Sequence, residues 1–266
     1  MKYLHGFNKK EQDRLYFQSQ FLKEQVFRNV DFHACRDILE IGCGVGAQTE
    51  VLLEKFPHAQ ITSVDASEAQ LARAKERFKN HPRKKQVKFI LADAKNLKFP
   101  ANSFDAVFIC WLLEHVPKPV DIVKEANRVL RIGGRIVCNE VLNNTYFVDP
   151  YSPMIQKVLF EFNDYQWEIA GDPFVGAKLG IFLDTAKFKG ITVMPAWVHF
   201  DRRDLIRRKE FMDHERDLFL SAAPELLKEK RITPAEVKEL KREWEVLKAD
   251  KDSVIFYSWM QAFGVK

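Results

Sequence analysis

The stretch RDILEIGCGVGAQTEVL (Arg36–Leu52) sets Gly42, Gly44 and Gly46 at every second position, between an apolar run and a helix-like run. A strand before and a helix after is the context that a nucleotide-cradling loop requires. Glycine there permits a tight turn and lets the backbone approach a ligand closely. Asp65 closes the next strand-like run, QITSVD (Gln60–Asp65), 19 residues beyond Gly46. A carboxylate at that place can accept both hydroxyl protons of a ribose.

On either side, strand-like runs alternate with helical patterns. The strands are Asp37–Gly42, Gln60–Asp65, Val87–Ala92, Phe104–Cys110 and Arg135–Val141. Helices are expected at Ala47–Lys55, Ser67–Phe78 and Val120–Leu130, with a short turn at Lys95–Leu97. Near-continuous apolar strands separated by helices predict an α/β fold, a doubly wound and mostly parallel sheet covered on both faces. The glycines of IGGR (Ile132–Arg135) serve as the stop of the preceding helix.

Ahead of this core, Leu15, Phe17, Phe21, Leu22 and Val26 recur at three- and four-residue spacings, as in an amphipathic helix. After Val141 comes a turn-rich loop, NNTYFVDPYSP, then an aromatic-rich helix (Met154–Ile169) and a second helix (Val175–Phe188) opened by Gly171–Pro173. A strand at Ile191–Phe200, charged helices near Arg202–Ser221 and Pro234–Lys248, and a strand at Ser253–Trp259 complete the chain. One domain over residues 1–266 is expected: an N-terminal helical cap (1–34), a nucleotide-binding core (35–142), and two helical insertions (143–189 and 201–251) that form a lid.

Composition excludes several function classes. With 266 residues, 46% hydrophobic and 30% charged, the chain is ordinary globular protein. No apolar run approaches a membrane span and no secretory leader opens the sequence, so a soluble, cytoplasmic protein without a membrane partner is expected. Cys35, Cys43, Cys110 and Cys138 share no metal-ligand spacing; they read as free thiols, and no metal is expected. The net charge of +5 is small, and the acids and bases of 201–251 interleave as on a solvated helix face. No basic stripe with stacking aromatics is present, so no nucleic-acid partner is expected.

The glycines alone leave the nucleotide open, since Gly42, Gly44 and Ala47 also match the dinucleotide pattern G-x-G-x-x-A. Three features favour S-adenosylmethionine (SAM). Glu40 stands just ahead of the glycines, where it would repel a diphosphate but tolerate an ammonium and a sulfonium. Asp93, in ADA (Ala92–Ala94), gives the third strand an acid able to accept from the adenine amino group. The run SFDAVFICWLLEHVPKP (Ser103–Pro119) ends the fourth strand in an aromatic-apolar loop, where the reactive end of the ligand belongs.

The ordered set LEIGCGVG, VDAS, ADA, SFDAVF…LEHV and RVLRIGGRIV, between Asp37 and Val141, resembles the class I SAM-dependent methyltransferases. The opening YLHGF before an EQxRL…Q helix is similar to their small-molecule group, of the ubiquinone and menaquinone C-methyltransferase kind. The resemblance implies a Rossmann-like, seven-stranded sheet whose last three strands are Arg135–Val141, Ile191–Phe200 and Ser253–Trp259. It implies SAM as cofactor and S-adenosylhomocysteine as product. Carried over by position, Glu40, Gly42, Cys43 and Gly44 would line the methionine end, Asp65 the ribose, and Ala66, Asp93 and Ala94 the adenine. Trp111 and Tyr3 are further cofactor contacts that it implies.

Methyl transfer disperses charge, so placing the acceptor close, aligned and dry supplies much of the acceleration. An acceptor oxygen or acidic carbon also needs a base. His115, just past the fourth strand, is the candidate catalytic base, with His199 and Glu140 behind it. Tyr146, Tyr151, Tyr165 and Trp167 are candidates to line an acceptor pocket. The [DNS]-P-P-[YFW] motif, a proline-flanked nucleophilic cysteine and a paired-glutamate loop after the fourth strand are all missing, which favours a small, partly apolar acceptor. Two alternatives remain: a SAM-binding regulator or scaffold without transfer activity, and a nicotinamide oxidoreductase, which Glu40 and Asp93 oppose.

Overall fold

A computed structural model describes Gly6 and residues 8–266. Among the described residues eight strands form one sheet: β1 (Asp37–Ile41), β2 (Gln60–Asp65), β3 (Val87–Leu91), β4 (Phe104–Cys110), β5 (Leu130–Val141), β6 (Phe147–Asp149), β7 (Lys189–Phe200) and β8 (Val254–Val265). The order β3-β2-β1-β4-β5-β8 is closed by β7 on the far side of β8, with β6 on the near side beyond β5. The first five strands run parallel, and β8 lies antiparallel to β5, β6 and β7. The central strands are buried almost throughout, as a sheet covered on both faces demands.

Among the described residues eight α-helices pack around it: α1 (Lys9–Val26), α2 (Ala47–Lys55), α3 (Glu68–Phe78), α4 (Pro119–Val129), α5 (Pro153–Glu168), α6 (Leu179–Thr185), α7 (Leu205–Lys228) and α8 (Pro234–Ala249). Their starts are set by local chemistry. Asn8, Ser67 and Ser152 accept from backbone N–H groups in the first turns of α1, α3 and α5. Thr233 and Glu236 form a reciprocal capping box on α8. Apolar layers fill both faces, one running from α1 through β1, β4 and β8 to α5, α7 and α8, the other between the sheet and α4 and α6.

Four expectations change. The sheet has eight strands rather than seven, because Phe147–Asp149 leaves the turn-rich loop to pair with Val254–Phe256. β8 runs on past Trp259 to Val265, paired on both sides by β5 and β7. The glycines of IGGR do not stop α4: the helix ends at Val129 with Leu130 in extended backbone, and Gly133 (φ +79°) sits in the irregular start of β5. Finally, α7 is not a solvated helix. It buries Arg208, Phe211, Met212, His214, Glu215, Phe219 and Leu226, and the Arg208 guanidinium donates to the carbonyls of Lys248, Lys251 and Ser253. Even spacing of charges along the chain concealed this apolar face.

Candidate active site

The parallel strands finish level with one another: Ile41 is in register with Val64 and Ile109, and Asp65 with Leu91. Their C-terminal ends therefore form a rim. The glycine loop crosses it stitched to β2, with Gly42 and Cys43 N–H donating to the Val64 carbonyl at 2.8 and 3.0 Å. Gly42, Gly44 and Gly46 all have positive φ (79°, 52° and 75°). A Cβ on Gly42 would come within 2.9 Å of Leu112, whereas one on Gly44 would meet nothing within 4 Å. The loop is thus packed from below and open above.

Asp65 faces the loop, accepting from Gly44 N–H and Ser67 N–H, each at 2.8 Å. Burial raises its pKa, against the pull of these backbone donors. Beneath the loop, Glu40 is fully enclosed and accepts from the Thr49 and Ser63 hydroxyls at 2.5 and 2.7 Å. Burial pushes its carboxyl up to about 7, with the Asp65 charge adding to the rise. At the end of β3, Asp93 is exposed and accepts from Lys95 N–H.

The β4 exit turns sharply. Trp111 holds φ +53°, a left-handed conformation rare for a large side chain, and its N–H donates to the Asn139 carbonyl. The next two N–H groups, of Leu112 and Leu113, converge on Glu140 Oε1 at 3.0 and 2.9 Å. Glu140 is wholly buried, burial lifts its carboxyl to about 8, and its second oxygen has no hydrogen-bond partner among the described residues.

Beyond this turn lies a cavity of about 110 Å³. Trp111, Glu114 and His115 form the wall next to the rim, α1 contributes Arg14 and Leu22, and α5 contributes Leu159 and Phe162. Glu215 and Phe219 of α7, Tyr146, and Tyr257 of β8 complete it. The lining is mostly apolar and aromatic, with a few convergent polar groups, the character of a small-molecule site.

A family model described as "Methyltransferase domain" matches residues 39–138, which span the rim and the β4 exit. The chain is 33% identical over 175 residues to the demethylmenaquinone methyltransferase of Staphylococcus aureus, a match covering 64% of this chain and 69% of that protein. It belongs to the class I SAM-dependent methyltransferases. It is also 31% identical over 121 residues to Methyltransferase GfsG of Streptomyces halstedii, covering 46% of this chain and 43% of that protein. The chain therefore spans less than half the length of that relative. Among solved structures it is similar to the Haemonchus contortus phosphoethanolamine N-methyltransferase 2, with a TM-score of 0.60 and 19% identity. That overlap covers 100% of this chain and 61% of the other. At such identity the likeness is one of fold.

In a methyltransferase of this class the rim must hold an adenosyl group that carries no phosphate, and the residues present fit it. The open face over Gly44 gives it room, Asp65 offers a carboxylate beside that face, and Glu40 supplies negative charge beneath a cationic ligand. Ala66 is exposed next to Asp65, and Ala94 is half-buried next to Asp93. Tyr3 lies outside the described residues.

On the acceptor side the expected aromatics separate. Tyr146 lines the cavity; Tyr151 and Trp167 are 73% and 57% exposed, and Tyr165 turns away to meet Glu229 and Arg231. The last three do not line it: Tyr151 precedes α5, and α5 itself presents Leu159 and Phe162 on its inner face in place of Tyr165 and Trp167. His115 borders the cavity, with Nε2 3.5 Å from Glu114. His199 lies off at the β7 end beside Asp201, and Glu140 braces the β4 turn. Sequence reasoning missed Arg14, Glu114, Asn143, Glu215 and Tyr257 as lining residues. Glu215 did carry a signal, a charge between Phe211 and Phe219 on the buried side of α7.

Proposed function

We propose that the chain transfers the methyl group of SAM to a small, partly apolar organic acceptor held in the cavity beyond β4, releasing S-adenosylhomocysteine. The observation that carries this reading is the shared wall. Trp111, at the end of a rim strand, also lines the apolar cavity, so an acceptor seated there adjoins whatever the rim holds. A protein that only bound the nucleoside would need no such space. The relative named for demethylmenaquinone is in keeping with an acceptor that bears an apolar ring.

In this mechanism SAM supplies an electrophilic methyl carbon, and the chain supplies position and dryness. Gly42 and Gly44 allow backbone approach, Asp65 holds the ribose hydroxyls, and Asp93 with Ala94 meets the adenine edge. Trp111, Leu159, Phe162 and Phe219 hold the acceptor against water, and His115 borders it from the β4 side. No helix among the described residues is long and apolar enough to cross a membrane, in keeping with work in the cytoplasm.

Calorimetry with SAM and with NAD tests the cofactor: SAM should bind at tens of micromolar or tighter, and NAD should not. Label from methyl-tritiated SAM should then appear in a small molecule of a metabolite extract. Failure to bind SAM removes the reading; binding without transfer to any extract component reduces the protein to a SAM binder.

A further inference from the structure

The buried face of α7 recurs as Arg208, Phe211, Glu215, Phe219, Ala222 and Leu226, at three- and four-residue steps. Packing alone asks for an apolar side chain at each of these places. Glu215 breaks the stripe at the one turn that borders the cavity, beside Leu218 and Phe219. It is 5% exposed; Arg14 and the Tyr146 hydroxyl act on it, and His214 Nε2 lies 3.7 Å from Oε1. The Tyr146 hydroxyl, also buried, is directed at Glu215, though their geometry falls short of a full hydrogen bond. A buried carboxyl whose partner is so loosely closed is costly to ionise unless a third group joins the pair.

The surrounding charges define that partner. From α1, Arg14 is fastened by Glu11 at 2.8 and 2.7 Å and by Gln18 at 3.0 Å, so its cation is already matched. Across the cavity Glu114 binds Gln166 and approaches His115, and on β8 Tyr257 donates to Asn143. His214 lies beside Glu215 on its own helix, and burial keeps that imidazole from charging. When Glu215 is ionised, it and Glu114 give the wall a negative character, which repels a phosphate or a carboxylate and welcomes a hydrogen-bond donor.

We propose, resting on the methyltransferase reading, that Glu215 is the catalytic base: it takes the proton from a hydroxyl of the acceptor, to whose oxygen Tyr146 donates, or from an amine, whose one lone pair is left for the methyl carbon, so anionic acceptors are excluded. The step balances. The acceptor atom bonds to the methyl carbon as its proton passes to Glu215, the carbon–sulfur bond breaks, and its electron pair returns to sulfur. Solvent later takes the proton from the carboxyl.

Phenylpropylamine, propylphenol and phenylpropanoate, similar frames of a ring and a three-carbon chain that carry an amine, a phenolic hydroxyl and a carboxylate, test the proposal. Binding of each to the protein with S-adenosylhomocysteine is followed by calorimetry, and transfer by methyl-tritiated SAM, from pH 5.5 to 9.5 in steps of about half a unit. The amine or the phenol should bind and be methylated, and the carboxylate should do neither. Burial raises the Glu215 carboxyl to about 8, partly offset by Arg14. The rate should therefore rise with pH through a limb at or below about 8, because only the ionised carboxylate accepts a proton. Glu215→Gln should lose ~100- to 10,000-fold in transfer and lose the limb, the range for removing a general base. Its affinity for SAM should stay within about twofold, and its thermal midpoint should not fall, since an uncharged isostere replaces a buried carboxyl. Glu215→Asp should keep the limb at a reduced rate, which separates the base from a folding role should the Gln variant misfold. A Gln variant with the wild-type rate and limb overturns the assignment. Preference for phenylpropanoate, or no transfer to the amine or the phenol although SAM binds, overturns the acceptor class. Loss of SAM binding by the wild-type chain would instead strike the reading beneath it.

Discussion

The two halves of the site are built in different ways. The cofactor rim draws on residues between Glu40 and Trp111, each at or beside the end of a parallel strand, in the order in which the strands are made. The acceptor cavity gathers Arg14, His115, Tyr146, Phe162, Glu215 and Tyr257 from segments separated by most of the chain. In the proposed reading the rim recognises SAM largely through backbone and a few acids, which requires glycine and aspartate at fixed local offsets. The cavity, in the same reading, recognises the acceptor with side chains on helix faces, where a lining residue and a core residue obey the same spacing. Substitutions in one half should therefore leave the other half's ligand untouched.

The largest expected effect lies in the cavity and bears on stability. Phe219 is 5% exposed and packs edge-on against Trp244, with centroids 5.8 Å apart, and near Tyr146. Phe219→Ala should cost about 3–5 kcal/mol, the range for deleting a buried ring and leaving its space behind. Denaturant unfolding gives that loss, and calorimetry in native buffer should show SAM affinity within about twofold of the parent. A loss of SAM affinity in step with stability would show that the two halves are one unit.

The reverse experiment belongs to the rim. Asp65→Ala removes a carboxylate that accepts from Gly44 and Ser67 and is assigned to the ribose. SAM affinity should fall by about 1–3 kcal/mol, the worth of charge-assisted hydrogen bonds. Binding of propylphenol to the cavity should not change. Undiminished SAM affinity would mean that another group holds the ribose.

This contrast also explains what could be read from the sequence. The strands β1 to β5 and the glycine loop were legible because each is a local pattern whose meaning is fixed by a neighbour a few residues away, and the same patterns put Asp65 and Asp93 at or beside strand ends. The wall of the cavity was not. Tyr151 and Trp167 look like pocket aromatics in a list of residues, yet they fall on the outer side of the chain, and only Tyr146 faces inward. Glu215 was hidden in a stretch whose even mixture of charges suggested solvent on every side, because charge counting ignores helical phase. An acid at a core position of a helix was the signal to look for, and it needed the stripe Phe211, Phe219 and Leu226 to be drawn first.

The smallest expected effect separates the halves by pH. Glu40 lies under the glycine loop with its carboxyl raised by burial to about 7, whereas Glu215 in the cavity is raised to about 8. A raised carboxyl is protonated below its folded value, so Glu40 is neutral at pH 6 and ionised at pH 8. A cationic ligand above it favours the ionised form, hence binding should pull its pKa down and release protons near pH 7. SAM affinity should accordingly rise a few-fold between pH 6 and pH 8, worth about 1 kcal/mol or less. Calorimetry in two buffers of different ionisation enthalpy measures the released protons directly. Glu40→Gln should flatten this rise while the Glu215-dependent limb of the transfer rate stays in place. One limb moving with the other would mean that the carboxylates beneath the rim and along the cavity titrate as a coupled set, and that the division between the two halves stops at backbone geometry.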